Sequence, residues 1–109
     1  MDRDEKLGRI EITPEALIEL VSLTALECYG IVGLVKRSPW SGSFSHPGVE
    51  ISWAGPELII NLHVIMEYGV RITEVAYNLK ERIKYVVERN LGIPVAQVNV
   101  YVHDLRVNF

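Results

Sequence analysis

His63 and His103 are the side chains of this sequence best suited to bind a metal or carry a proton near neutral pH. Both fall on one side of alternating stretches, and adjacent strands can bring them near Glu50 or Asn61. Neither stands in a metal-ligand spacing, and histidines on strands are ordinarily surface residues. The polar residues around them offer no base, nucleophile and orienting group in combination. No catalytic residue, no cofactor and no metal is therefore expected there. Cys28, the single cysteine, lies on the apolar stripe of a helix with no basic neighbour in sequence, which favours inert packing over nucleophilic chemistry. Ser41-Gly42-Ser43 lacks the lysine, the spacing and the strand-to-helix setting of a phosphate-binding loop. Gly30-Ile31-Val32-Gly33 has the letters of a GXXG nucleic-acid clamp, but its middle residues are apolar and a strand is expected after it, so a helix stop is the better explanation.

The elements that position these residues centre on Leu58 to Leu91. An apolar run from Leu58 to Met66, rich in β-branched residues and too short to cross a bilayer, reads as a strand. Glu67-Tyr68-Gly69 follows, and from Ile72 the period changes. Val75, Ala76, Leu79, Ile83, Val86 and Val87 recur at steps of three and four, which collects them on one helical face. Gly92 and Pro94 end that helix, and a strand from Val98 to Val102 completes a βαβ crossover. Upstream, residues 1–6 are expected to be a frayed tail and Gly8 to Ile12 an extended piece. Thr13-Pro14-Glu15 starts a helix reaching about Tyr29, with core positions Leu17, Leu20, Val21, Thr24 and Cys28 and Gly30 as its stop. Ile31 to Val35 is a short strand, residues 36–48 a variable loop, and Val49 to Trp53 a strand that the Ala54-Gly55-Pro56-Glu57 turn joins to the central run as a hairpin.

By alternation, Val49, Ile51, Trp53, the even-numbered residues from Leu58 to Met66, and Val98, Val100 and Val102 share one face, on which both helices are expected to lie. Glu50, Ser52, Asn61, His63, Asn99, Tyr101 and His103 form the other, half-polar face. The fold class is α+β: two layers, a mixed sheet of about four to five strands of four to six residues, and two helices on one side, in the order βαβββαβ or close to it.

Composition sets the outer bounds. The 109 residues, 49% of them hydrophobic, suit a single domain spanning 1–109. A net charge of -3 argues against a protein that binds nucleic acid chiefly by neutralising phosphates. One cysteine excludes an internal disulfide framework and fits a reducing compartment. With no signal-peptide apolar region near Met1 and no run of 18 apolar residues, a cytoplasmic location is expected, and any membrane association would go through a partner.

Several stretches resemble the alkaline shock protein family, whose members are also called envelope stress response proteins. They are Gly8-Arg9-Ile10-Glu11-Ile12, the run from Ala25 to Leu34, Glu67-Tyr68-Gly69-Val70-Arg71-Ile72 with Glu74-Val75-Ala76, and Val98-Asn99-Val100-Tyr101-Val102. The acid-Tyr-Gly segment is the most specific part. The chain departs from the family in carrying Thr73 where proline is common. The resemblance implies a small, cytoplasmic, non-enzymatic bacterial protein that self-associates and sits at the membrane through an integral partner. It also implies an association with a kinase-like protein of the dihydroxyacetone or fatty acid kinase type.

Protein contacts are the function that the helices themselves suggest. Leu23 and Leu26 fall roughly 130 to 170° from the centre of the first helix's core stripe, among Glu19, Ser22 and Glu27. Tyr77 and Tyr85 lie off the core stripe of the second helix, amid charged residues, a setting that suits either a solvated face or an interface. Trp40 and Phe44 stand in the variable loop, either as a plug for the edge of the core or as anchors for a partner. The alternative function is a small nucleic-acid-binding domain using the open sheet face or the Gly30-Ile31-Val32-Gly33 turn.

Overall fold

The computed structural model describes residues 2–5 by their backbone, and residues 7–35 and 48–107 in full. Strands β1 (Asp2–Glu5) and β2 (Gly8–Glu11) form an antiparallel pair of their own, so four residues of the stretch expected to fray have backbone partners. Helix α1 (Pro14–Glu27) opens as its sequence dictates, with the Thr13 side chain accepting the Ala16 N–H at 3.2 Å and proline in the first turn. Then come β3 (Ile31–Leu34), β4 (Val49–Ala54), β5 (Glu57–Glu67), α2 (Ile72–Leu91) and β6 (Val95–Arg106).

The main sheet is mixed. β6 runs parallel to β5, while β3 and β4 both run antiparallel to it. β4 pairs with the first part of β5, from Ala54 opposite Glu57 to Val49 opposite Leu62, and β3 pairs with the last part, from Leu34 opposite Val64 to Ile31 opposite Met66. The two therefore lie end to end along the same edge of β5. Opposite His63 there is room for one residue, and two share it. Val35 N–H donates to the His63 carbonyl at 3.0 Å, and Gly48 C=O accepts the His63 N–H at 2.8 Å. β3 and β4 are thus one edge strand, interrupted at a single ladder position by residues 36–47.

This arrangement corrects the expected strand lengths of four to six residues: β5 has 11 residues and β6 has 12. β5 must be long because it serves two short partners in series, and β6 follows it along the other edge. β6 also begins earlier than expected, at Val95, and Val95 joins the core together with Ile93 just before it, at 4% and 1% exposed. Both helices cover the same face, α1 against β3 and β4, α2 against β6, and each packs on the other. Beneath them Leu58, Ile60, Leu62, Val64 and Met66 are fully buried, as are Leu79 and Ile83 of α2 and Val21 of α1. Trp53, expected on this covered face, is instead 49% exposed. β4 is an edge strand, and Trp53 is its penultimate residue, so cover fades along it from the buried Val49 through the half-buried Ile51.

The helix ends match their sequence signals with small shifts. α1 stops at Glu27, two residues short of the expected Tyr29, with Cys28 extended as its C-cap. Gly30 has φ +86°, and a Cβ there would lie 2.9 Å from a methyl of Val75, so glycine both turns the chain and lets α2 approach. Gly92 caps α2 in the left-handed conformation, its N–H bonded to the Glu88 carbonyl. The carboxylate of Glu88 then accepts the Val95 N–H at 3.0 Å, tying the end of α2 to the start of β6.

Candidate functional site

The open sheet face brings together the residues that its alternation placed there. His63 on β5 stands opposite Tyr101 on β6, and Glu50 on β4 stands opposite Asn61. His63 Nε2 lies 2.7 Å from Glu50 Oε1, and its Nδ1 lies 2.8 Å from Nε2 of His103. His63 is 9% exposed, and its ring stacks on Tyr101 with centroids 5.0 Å apart at 15°. Asn99 donates its side-chain N–H to the Asn61 side-chain oxygen at 2.9 Å, and Asn61 joins Glu50, His63, Tyr101 and His103 in lining an open concavity.

Why His103 reaches His63 is a matter of register. After a first register shift that leaves Ala96 unpaired, β6 stays in step with β5 from Gln97 opposite Ile59 to Val102 opposite Val64, but the next pairing is Asp104 opposite Ile65. His103 is the extra residue of a β-bulge, and bulges re-aim side chains. Its ring tilts 54° to that of His63. Asp104 accepts the N–H of the following Leu105 at 2.9 Å, which holds the chain after the bulge.

A buried imidazole with both ring nitrogens hydrogen-bonded is more organised than a pair of surface histidines. Glu50 accepts from one end of the ring and His103 meets the other, so the three side chains form a line. They do not converge on a common point. No group of three or more His, Cys, Asp or Glu among the described residues is placed to hold a metal ion. The 2.8 Å between the two nitrogens is a hydrogen-bond distance, whereas two nitrogens on one tetrahedral zinc stand about 3.3 Å apart for bonds near 2.0 Å.

Cys28 stays away from this face. Its Sγ donates to the Thr24 carbonyl at 3.4 Å, and burial pushes the thiol up from its ordinary range, with Arg82 opposing and Glu27 adding to the effect. That is the environment of an unreactive thiol. Gly30-Ile31-Val32-Gly33 runs from a turn into β3, where Val32 is the extra residue of another register shift, between Ile31 and Gly33.

The helix layer presents the expected exposed side chains. Leu23 and Leu26 of α1 are 56% and 48% exposed, and Tyr77 and Tyr85 of α2 are 62% and 54% exposed. Arg89 lies over the Tyr85 ring at 5.9 Å. Trp40 and Phe44 lie outside the described residues.

A helix-covered mixed sheet with exposed apolar side chains on its helices defines a small α+β domain. The alkaline shock protein family, described as having a cell envelope-related function, matches residues 2–107, and the chain belongs to that family. Among relatives, YloU of Bacillus subtilis is 32% identical over 94% of this chain and 92% of its own length. Spy1614 of Streptococcus pyogenes is 31% identical over 94% and 91%. Among solved structures, a MamM CTD in a zinc form superposes with a TM-score of 0.55 at 12% identity, covering 85% of this chain and 87% of its own. That likeness is one of fold. No helix among the described residues is long and apolar enough to cross a membrane.

Proposed function

We propose that this chain is a non-catalytic interaction domain of the cell envelope, working in the cytoplasm by self-association and by docking to an integral membrane or kinase-like partner. The observation that carries the reading is the exposure of Leu23 and Leu26 on α1, on the side away from the sheet. Single exposed leucines are ordinary, but two within one turn of a helix make an apolar patch. The occupant favoured for that patch is a second copy of the chain. α1 carries three acidic residues and no basic one, whereas α2 carries four basic residues against three acidic. α1 of one copy against α2 of another would bring leucines to the Tyr77 and Tyr85 side while opposing unlike charge, and a twofold axis would repeat the contact.

Sedimentation tests this reading. The wild type should associate, and Leu23→Glu with Leu26→Glu should lower its mass to that of a monomer while circular dichroism stays unchanged. A wild type that stays monomeric at high concentration removes the reading. Crosslinking in the native cell extends the test: recovery of a membrane or kinase-like protein supports the envelope role, and recovery of RNA would instead support nucleic-acid binding.

A further inference from the structure

We propose that Glu50, His63 and His103 form a proton-operated latch on the open sheet face, closed while the two histidines hold at most one extra proton and opened by the second. Proton positions follow from the geometry. An ionised Glu50 keeps the His63 proton on Nε2, across a 2.7 Å bond, which leaves Nδ1 with a lone pair. His103 must then supply the hydrogen of the 2.8 Å bond from its own Nε2. A first added proton enters at Nδ1 of His103 and leaves that bond intact, now assisted by charge. A second has only Nδ1 of His63 to occupy, and it sets one N–H against another between two like charges. The bond cannot survive that, so one ring must leave.

The surroundings decide which ring leaves. His63 is 9% exposed, is held by Glu50 and stacks on Tyr101. His103 is exposed and sits on a bulge, outside the regular ladder. His103 therefore swings into solvent as a cation, while His63 stays paired with Glu50. Other titratable groups on this face are few among the described residues. β3 contributes none, β4 only Glu50, and β5 His63 with Glu57 and Glu67 at its two ends. β6 adds Tyr101, Asp104 beside the bulge and Arg106 opposite Glu67. Both helices lie on the opposite face. The opened latch places two positive imidazolium rings beside Glu50, on a face whose other charged side chains are mostly acidic.

The position is suited to regulation because the backbone of His63 receives Val35 and Gly48, the two residues at which the edge strand is interrupted. The latch thus operates on the ladder rung that joins β3 to β4.

The test is a long-range 1H–15N NMR titration of the imidazole nitrogens in the full chain, from about pH 8 to about pH 5, where imidazoles take up protons. His46→Gln is included in every sample to simplify assignment. His63 is expected as the Nε2–H form at the alkaline end, with its Nδ1 gaining a proton only after His103 has gained one. Cross-peaks between the two rings should disappear at that second step. His103→Ala should let His63 take its proton in one step, and His103→Gln, a neutral donor, should keep Nδ1 of His63 hydrogen-bonded. The proposal is overturned if Nδ1 of His63 is already protonated at the alkaline end, if its protonation ignores the His103 substitutions, or if the purified protein carries one zinc per chain whose removal shifts both rings.

Discussion

Gly48→Ala is the substitution with the sharpest expected consequence. Gly48 has φ +70°, and a Cβ built there would lie 2.7 Å from the His63 carbonyl oxygen and 2.9 Å from Cβ of Leu34. Two costs add. Holding alanine in the left-handed region costs about 1–2 kcal/mol. The overlap costs about 1–3 kcal/mol more, as overpacking does, because the opposing atoms are backbone or anchored to it and cannot rotate away. The sum, about 2–5 kcal/mol, is a large share of the ~5–15 kcal/mol that keeps a domain folded. Gly55→Ala separates the two terms, since Gly55 has φ +61° but nothing within 4 Å of its notional Cβ. It should show the strain alone. Urea unfolding followed by circular dichroism gives both values by linear extrapolation. Equal losses for the two variants, within about 0.5 kcal/mol, would refute the claim that Val35 and Gly48 share one crowded rung opposite His63.

Other substitutions test the remaining layers. Ile83→Ala, at a fully buried site between α2 and the sheet, should cost about 2–5 kcal/mol, whereas Tyr77→Ala should stay within about 0.5 kcal/mol in a monomeric background. Glu88→Ala should cost about 1 kcal/mol in the same assay, because the Val95 N–H loses its acceptor. Cys28 should react slowly with iodoacetamide at neutral pH and faster only well into alkali, since burial raises its thiol. Because the folded thiol keeps its proton to higher pH than the unfolded one, its contribution to stability is complete below the ordinary thiol range and is lost as pH rises through the folded value. Cys28→Ala should therefore flatten the alkaline fall in stability.

Much of the fold was legible because burial and periodicity agree. The steps of three and four from Val75 to Val87 named the buried face of α2, and the apolar parity of Leu58 to Met66 named the buried face of β5. The same parity put Glu50, His63, Tyr101 and His103 on one surface. What alternation could not supply was reach. His103 is the extra residue of a bulge after Val102, and nothing in the local residue types marks one there. The union of β3 and β4 was hidden for a similar reason: two strands separated by a long loop read as two elements, and only their shared partner shows them to be one. Trp53 misled because parity assigns a side chain to a face without saying how far along an edge strand the cover extends.

The shared rung also separates the geometry of the sheet from the number of residues between Val35 and Gly48. Its two ends are held at one strand position by hydrogen bonds to His63, whatever lies between them. In general, doubling the length of a connection adds only about 0.6 kcal/mol of closure entropy. The rung fixes where the chain leaves and rejoins the sheet without fixing how many residues lie between, so a peptide spliced between Val35 and Gly48 would start and end at the same two anchors.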